Sequence, residues 1–266
     1  MKIDQYILKE EPYYHELGNE ISSYKAAYKN KIPMMLKGPT GCGKTRFVEH
    51  LAWQLKKPLI TVSCHEDMTS SDLVGRYLLD KNGTKWHDGP LTTAVRYGGI
   101  CYLDEIVEAR QDTTVIIHSL TDNRRILPLE KKNEVLSAHK DFHLVISYNP
   151  GYQSVLKDLK ESTKQRFGAI ELEYPKKDIE IKIIQNETKI NFETASCLVD
   201  FAKNSRNLKG SGLDEGLSTR MLIRTAELIN NGIKFNEACE IGLIIPLTDD
   251  KDIRESLRKI IFTYKL

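Results

Sequence analysis

Pro33-Met34-Met35-Leu36-Lys37-Gly38-Pro39-Thr40-Gly41-Cys42-Gly43-Lys44-Thr45 decides the fold, because an apolar run stops in a glycine-rich loop that ends in Lys-Thr. The last eight residues fit G-x-x-x-x-G-K-[ST], a phosphate-binding loop, and that pattern is informative when a strand precedes it and a helix follows. Both flanks are present. The run before Gly38 reads as a short buried strand, and Arg46 to Leu55 repeat apolar residues at helical spacing. Gly38, Pro39, Thr40, Gly41, Cys42, Gly43, Lys44 and Thr45 are therefore the candidate nucleotide-binding residues. The glycines let backbone N–H groups turn toward an anion, and the helix start adds its positive dipole end. Lys44 is placed to reach the β- and γ-phosphates of a nucleotide, and Thr45 to give its hydroxyl to Mg²⁺.

The rest of the chain supplies a partner for this loop. After the first helix, Pro58 to Cys64 is a β-branched run that predicts a second strand, which makes a βαβ unit. Ile100-Cys101-Tyr102-Leu103-Asp104-Glu105 is an apolar strand ending in two acids. Downstream of a phosphate loop, the first acid can hold Mg²⁺ through water and the second can deprotonate the attacking water, which assigns Asp104 and Glu105 these roles. Phe142 to Tyr148 predicts a further strand that ends at Asn149-Pro150-Gly151. An amide there can hydrogen-bond the attacking water and the γ-phosphate, so Asn149 joins the candidates.

Between these motifs the reading is coarser. Leu17 to Tyr28 predicts a lead-in helix whose tyrosines receive no role. Ser70-Ser71-Asp72 starts a helix, and Asn82-Gly83 marks a hairpin within Gly75–Pro90, ahead of a helix over Leu91 to Tyr97. That insertion reads equally as a contact element or as a surface excursion with Trp86 tucked onto the core. Asp112 to Asp122 predicts one helix with Val115, Ile116, Ile117 and Leu120 inward, and Arg124 to Ala138 a second hairpin. A short strand is predicted over Gly168 to Leu172. Beyond Tyr174-Pro175, helical periodicity takes over in 176–189, 193–204, 218–230, 235–243 and 250–263, with a loop over Lys203 to Glu215. The fold class is α/β: a P-loop αβα core with a parallel sheet over 1–175, the hairpin insertion near 75–90, and a helical lid over 176–266.

Composition narrows the function. With 266 residues and 40% hydrophobic content the chain can bury one large core with a smaller satellite. Its 39 basic and 37 acidic residues leave a net charge of +2 and no block of one sign, which argues against a nucleic-acid footprint. No stretch is apolar for the length of a bilayer, and the N-terminal residues lack the apolar core of a secretory signal, so a cytoplasmic protein without membrane insertion is expected. Five cysteines without a C-x-x-C pair read as small buried hydrophobes rather than as zinc ligands or disulfides.

With the phosphate loop, Asp104-Glu105, Asn149, Arg166 and Arg220 in this order, the chain resembles the AAA+ ATPases over nearly its whole length. More narrowly, Trp86-His87-Asp88-Gly89-Pro90-Leu91, Gly98 to Glu105 and Ser162-Thr163-Lys164-Gln165-Arg166-Phe167 are similar to the MoxR branch, in its NirQ/NorQ/CbbQ subgroup. The resemblance implies a homo-hexameric ring with ATP between neighbours. It makes Arg166 an arginine finger on the next subunit's γ-phosphate, and Arg220 of Leu217-Ser218-Thr219-Arg220 a nucleotide sensor in the lid. Lys164 departs from the subgroup pattern, where a first arginine stands, and Lys lacks the planar fork of Arg. The resemblance further implies a von Willebrand factor A-type partner and a target enzyme: either inhibited rubisco, toward which the reading leans, or nitric oxide reductase. Two other classes compete. A small-molecule phosphotransferase would need acceptor-binding residues that are not identifiable, and a transcription regulator would need a helix-turn-helix or a basic stripe.

Overall fold

The computed structural model describes residues 3–81, 83–149, 159–208, 213 and 215–264. In chain order the elements are α1 (Glu20–Lys29), β1 (Met34–Lys37), α2 (Lys44–Leu55), β2 (Leu59–Ser63), α3 (Ser70–Val74), β3 (Gly75–Asp80), β4 (Gly83–Asp88), α4 (Pro90–Tyr97) and β5 (Ile100–Asp104). They continue with α5 (Gln111–Val115), β6 (Ile126–Leu129), β7 (Glu134–Ser137), β8 (His143–Tyr148), α6 (Glu161–Lys164) and β9 (Gly168–Glu171). The helices α7 (Lys177–Thr188), α8 (Phe192–Arg206), α9 (Thr219–Asn230), α10 (Phe235–Cys239), α11 (Ile245–Leu247) and α12 (Lys251–Ile261) follow. The chain divides into two units: 1–12, 16–38 and 44–171 form the first, and 13–15, 39–43 and 172–266 the second.

The first unit is built on a five-stranded sheet in the order β2-β5-β8-β1-β9, with every neighbouring pair parallel. A parallel sheet is covered on both faces, which explains why its strands read as unbroken apolar runs. Every residue of β8 and the first four of β5 are buried. Helix α2 presses Phe47, Val48, Leu51 and Ala52 into this core, all fully buried. In open parallel sheets ligands sit outside the carboxyl ends of the strands, and here β1, β5 and β8 deliver Gly38, Asp104 and Asn149 to that edge.

Both expected hairpins form. In β3–β4, Gly75 pairs with Asp88 and Asp80 with Gly83, while Asn82 lies outside the described residues. The root of this hairpin is packed too tightly for side chains: a Cβ on Gly75 would stand 2.3 Å from the His87 carbonyl oxygen, and one on Gly89 2.3 Å from that of Leu73. The tip is open, with Leu79 83% exposed beside half-exposed Tyr77 and Leu78. Trp86 meets Tyr77 edge to face at 5.2 Å and donates to Asp88 Oδ1 at 2.7 Å. Arg96 of α4 then donates to Asp88 Oδ2 (2.9 Å) and to Glu134 Oε1 at the start of β7 (3.1 Å), which ties the root of the first hairpin to the turn end of the second.

Two helices differ from the sequence reading, each for a local reason. Helix α1 begins at Glu20, not Leu17, because the Glu20 carboxylate accepts from the Leu17 and Gly18 N–H groups at 2.6 and 2.8 Å and caps the helix from within. The helix expected over Asp112 to Asp122 stops at Val115, then resumes as a 3₁₀ turn over His118–Leu120, so Val115 is 55% exposed while Ile117 and Leu120 are buried. The run Thr113-Thr114-Val115-Ile116-Ile117 is β-branched throughout and resists a continuous helix, and Thr113 Oγ1 donates to the Met68 carbonyl instead.

The second unit is helical and has its own core of Ile184, Leu198, Phe201, Leu222, Leu243 and Leu257, among others. Asn191, Ser218 and Asp250 cap α8, α9 and α12 with side-chain oxygens. The helix expected over Phe235 to Leu243 changes to a π-helical stretch at Glu240–Ile244. Pro246 has no N–H for Gly242, and Gly242 lies so close to α9 that a Cβ there would meet Thr225 Oγ1 at 2.2 Å. Among the described residues no helix is long and apolar enough to cross a membrane. The cysteines are free thiols, and burial pushes those of Cys64 and Cys239 up to about 12.

Candidate nucleotide site

Lys44 opens α2, whose first turn carries no acidic residue, so its positive dipole end stays uncompensated by its own side chains. The loop before it depends on glycine at two points. Gly43 has φ +106° with open space where a Cβ would stand, so conformation alone demands glycine there. Gly41 has φ +70° and, within the second unit, a Cβ would come 2.6 Å from Ser218 Cβ.

In the first unit the sequence-predicted residues converge. Lys44 is buried, and its Nζ donates to the Gly38 carbonyl at 2.8 Å and to Asn149 Oδ1 at 2.5 Å. Thr45 Oγ1 donates to Asp104 Oδ2 at 3.4 Å. The other oxygen of Asp104 accepts from Tyr102 OH (2.6 Å) and Ser147 Oγ (2.5 Å). Ser147 Oγ in turn accepts from the Glu105 N–H at 3.0 Å. Tyr102 and Ser147 complete the cluster and were missed by motif reading. Burial, reinforced by the Asp104 charge, raises the Tyr102 phenol well above its ordinary range, so it remains a donor. The signals were present: Tyr102 shares a strand face with Asp104 at i, i+2, and Ser147 is the polar interruption of an apolar strand.

Glu105 has the left-handed conformation, φ 56° and ψ 47°, at a non-glycine residue. Such backbone costs about 1–3 kcal/mol and persists where surrounding bonds over-determine it. Here the Ser147 bond to its N–H and the buried Ile106 that follows hold the turn, and the Glu105 side chain is left exposed beyond the strand end.

Arg166 lies in the turn after α6, apart from this cluster. Its Nη1 is 3.5 Å from the His118 carbonyl oxygen and 3.8 Å from Asp122 Oδ2. Among the described residues its buried Nε has no hydrogen-bond partner. Lys164 pairs with Glu161 at 3.1 Å in its own turn.

In the second unit Arg220 is exposed in the first turn of α9, and its Cβ is 3.4 Å from where a Cβ on Gly41 would stand. Thr40 Oγ1 donates to Glu215 (2.9 Å), and Tyr174 OH donates to the Thr40 carbonyl (2.9 Å). Behind Tyr174, Arg206 stacks on the ring at 3.9 Å and grips buried Glu180 with two bonds of 2.7 and 2.8 Å. Pro150 and Gly151, which follow Asn149 in the motif, lie outside the described residues.

Among the described residues no group of three or more His, Cys, Asp and Glu is gathered to hold a metal on its own. A hydroxyl and a carboxylate beside a phosphate loop suit Mg²⁺, which keeps waters and draws on phosphate oxygens.

A phosphate loop at the end of a central parallel strand, with paired acids and an amide on neighbouring strand ends, defines a P-loop ATPase. The family model of the AAA domain (dynein-related subfamily) matches residues 33–167, and that of the CbbQ/NirQ/NorQ C-terminal region matches 180–264. Protein CbbQ of Hydrogenophilus thermoluteolus is 64% identical, with 96% of each chain covered. Protein NorQ of Paracoccus denitrificans is 50% identical over 94% of this chain and 92% of its own. The denitrification regulatory protein NirQ of Stutzerimonas stutzeri is 48% identical over 95% and 92%. A RuvB mutant structure from Thermotoga maritima shares the fold, with TM-score 0.55, 17% identity and coverage of 98% and 79%. The chain belongs to the CbbQ/NirQ/NorQ family of MoxR-type AAA+ ATPases.

Proposed function

We propose that the chain is one subunit of a homo-hexameric ring that hydrolyses Mg²⁺-bound ATP and uses the cycle, with a von Willebrand factor A-type partner, to reactivate inhibited rubisco. The observation that carries the ATPase half is the bonded cluster of Lys44, Thr45, Asp104, Ser147 and Asn149 at the strand ends. Lys44 and the backbone of 38–45 cradle the phosphates. Thr45 and Asp104 would hold Mg²⁺, which would supply charge neutralisation on the phosphates. Glu105 takes the proton of the attacking water as the bond from the γ-phosphorus to the β,γ-bridging oxygen breaks, giving ADP and phosphate. Asn149, oriented by Lys44, positions that water. Arg166 serves the site of the next subunit, and Arg220 reports nucleotide from the helical unit.

The rubisco assignment draws on the identity of 64% to a CbbQ, against 50% and 48% to NorQ and NirQ. The full-length likeness to NorQ favours a second reading, activation of nitric oxide reductase. The hairpin 75–90, anchored at its root and carrying exposed Tyr77, Leu78 and Leu79 along β3, couples hydrolysis to the target.

The two targets are separated by incubating the chain, ATP, Mg²⁺ and the partner with inhibited rubisco or with inactive nitric oxide reductase. The proposal expects rubisco activity to return only with ATP. Recovery of the reductase alone would replace it with the second reading. Exchanging 80–86 for a short Gly/Ser turn is expected to keep basal hydrolysis and abolish activation of the target.

A further inference from the structure

Among the described residues, the polar contacts of the Arg166 side chain within the first unit all go to one stretch, the 3₁₀ turn at His118–Leu120 and the residues just after it. They are loose, at 3.5 and 3.8 Å, and Asp122 is already claimed by Arg124, whose Nη2 stands 2.6 Å from Oδ2. What fixes the arginine is instead a bond to its own turn. His118 Nε2 lies 2.9 Å from Thr163 Oγ1, and Thr163 is 2% exposed and accepts from the Arg166 N–H at 3.1 Å through its carbonyl. Burial, then the charges of Arg166 and Lys160, lower the His118 pKa, which keeps the ring neutral and able to pair with a hydroxyl.

The other end of this stretch runs directly into the second hairpin. Ile117 and Leu120 are buried in the same core as Leu127 and Leu129 of β6. The hairpin itself is tied outward, by Lys131 to Ser71 Oγ (2.8 Å) and by Glu134 to Arg96 (3.1 Å). A shift of residues 126–137 is therefore passed to 117–125 through continuous chain and shared packing.

We propose that His118 and Thr163 form a clasp that aims Arg166, so that the β6–β7 hairpin governs how well the arginine reaches its site. Both are positioning residues for hydrolysis, and the proposal rests on the reading of Arg166 as the arginine that completes a neighbour's site. A reacting group displaced by about 1 Å can cost roughly 10²-fold in rate, so a lost clasp reads out in turnover rather than in nucleotide binding.

The test compares Thr163→Val, which keeps shape and loses the hydroxyl, with Thr163→Ser, which keeps it, in the full-length assembly with ATP and Mg²⁺. Thr163→Val is expected to lower kcat about 10- to 100-fold with KM and ring size unchanged, and Thr163→Ser to stay within about 3-fold of native. His118→Leu, changed on the more exposed side of the clasp, is expected to match Thr163→Val and guards against a folding failure at Thr163. Combined with Arg166→Ala, Thr163→Val is expected to add nothing, because both act through one group. Native kcat in both Thr163→Val and His118→Leu, while Arg166→Ala is inactive, would overturn the clasp and leave the reading of Arg166 standing. Additive losses in the double variant, or equal losses in Thr163→Ser, would also overturn it. Native turnover in Arg166→Ala would overturn both.

Discussion

At the strand ends Asp104 is held by the hydroxyls of Tyr102 and Ser147 at 2.6 and 2.5 Å, and Lys44 is spanned between Gly38 and Asn149 at 2.8 and 2.5 Å. At the turn after α6, Arg166 rests at 3.5 and 3.8 Å from its neighbours with one nitrogen unpartnered among the described residues. Both regions lie in the first unit, and the difference teaches what each is for. Groups that must be oriented before phosphate arrives are locked by short bonds to buried strands, which is how electrostatic preorganisation is built. The Arg166 guanidinium, which we propose acts on a neighbouring chain, is only lightly engaged at home, so moving it outward breaks little.

The sharpest break in this contrast is Arg166→Ala. Removing it should lower kcat by roughly 10³ to 10⁵, as for arginines of this kind elsewhere, with ATP affinity nearly kept. Nucleotide affinity measured beside turnover checks it.

Arg206 shows the opposite arrangement within the second unit, since it is fully engaged with Glu180, Tyr174 and the Leu217 carbonyl. Arg206→Met leaves Glu180 buried without its cation, and is expected to destabilise that unit by about 3–5 kcal/mol. Denaturant midpoints measure it, and an unchanged midpoint would mean the pair is structurally idle.

Ser147→Ala sharpens the contrast from the locked side. It withdraws one bond from Asp104 and leaves the Glu105 N–H without its acceptor, in a residue already held at φ 56°. Loss of such a supporting hydroxyl is expected to weaken Mg²⁺-dependent activity about 10- to 100-fold. A Mg²⁺ titration of turnover reads the change.

The effect that is smallest at neutral pH concerns acid stability. His143 is buried against Tyr24 and Tyr28, each at 5.2 Å, and burial lowers its pKa from 6.5 to about 3. Between those values the unfolded chain carries the extra proton, so stability falls as pH drops from 6.5 toward 3. His143→Phe is expected to flatten that fall while changing stability near neutrality by less than about 1.5 kcal/mol. Thermal melts across the window compare the two.

The phosphate loop, the paired acids and both hairpins were legible because each is a contiguous pattern whose chemistry or turn geometry is local. The contact between Lys44 and Asn149 was foreseen only as a shared site, since it needs β1 beside β8. Tyr102 and Ser147 escaped notice because their value depends on strand register, which places Ser147 beside the end of β5. The pairing of Glu180 with Arg206 joins residues 26 apart in sequence and exists only once α7 lies beside α8. The broken helix at 116–117 was hidden by an apolar pattern that suits a helix in spacing but not in side-chain branching.

The most direct measurement of the central claim, that one chain's site is completed by another's arginine, is a mixing experiment. Inactive Arg166→Ala subunits are combined with inactive Lys44→Ala subunits under conditions where subunits exchange. At interfaces where the first contributes an intact phosphate loop and the second an intact Arg166, a complete site is rebuilt, and the account predicts that ATPase activity returns in proportion to such interfaces. Mixed assemblies that exchange subunits yet stay as inactive as either parent would contradict it.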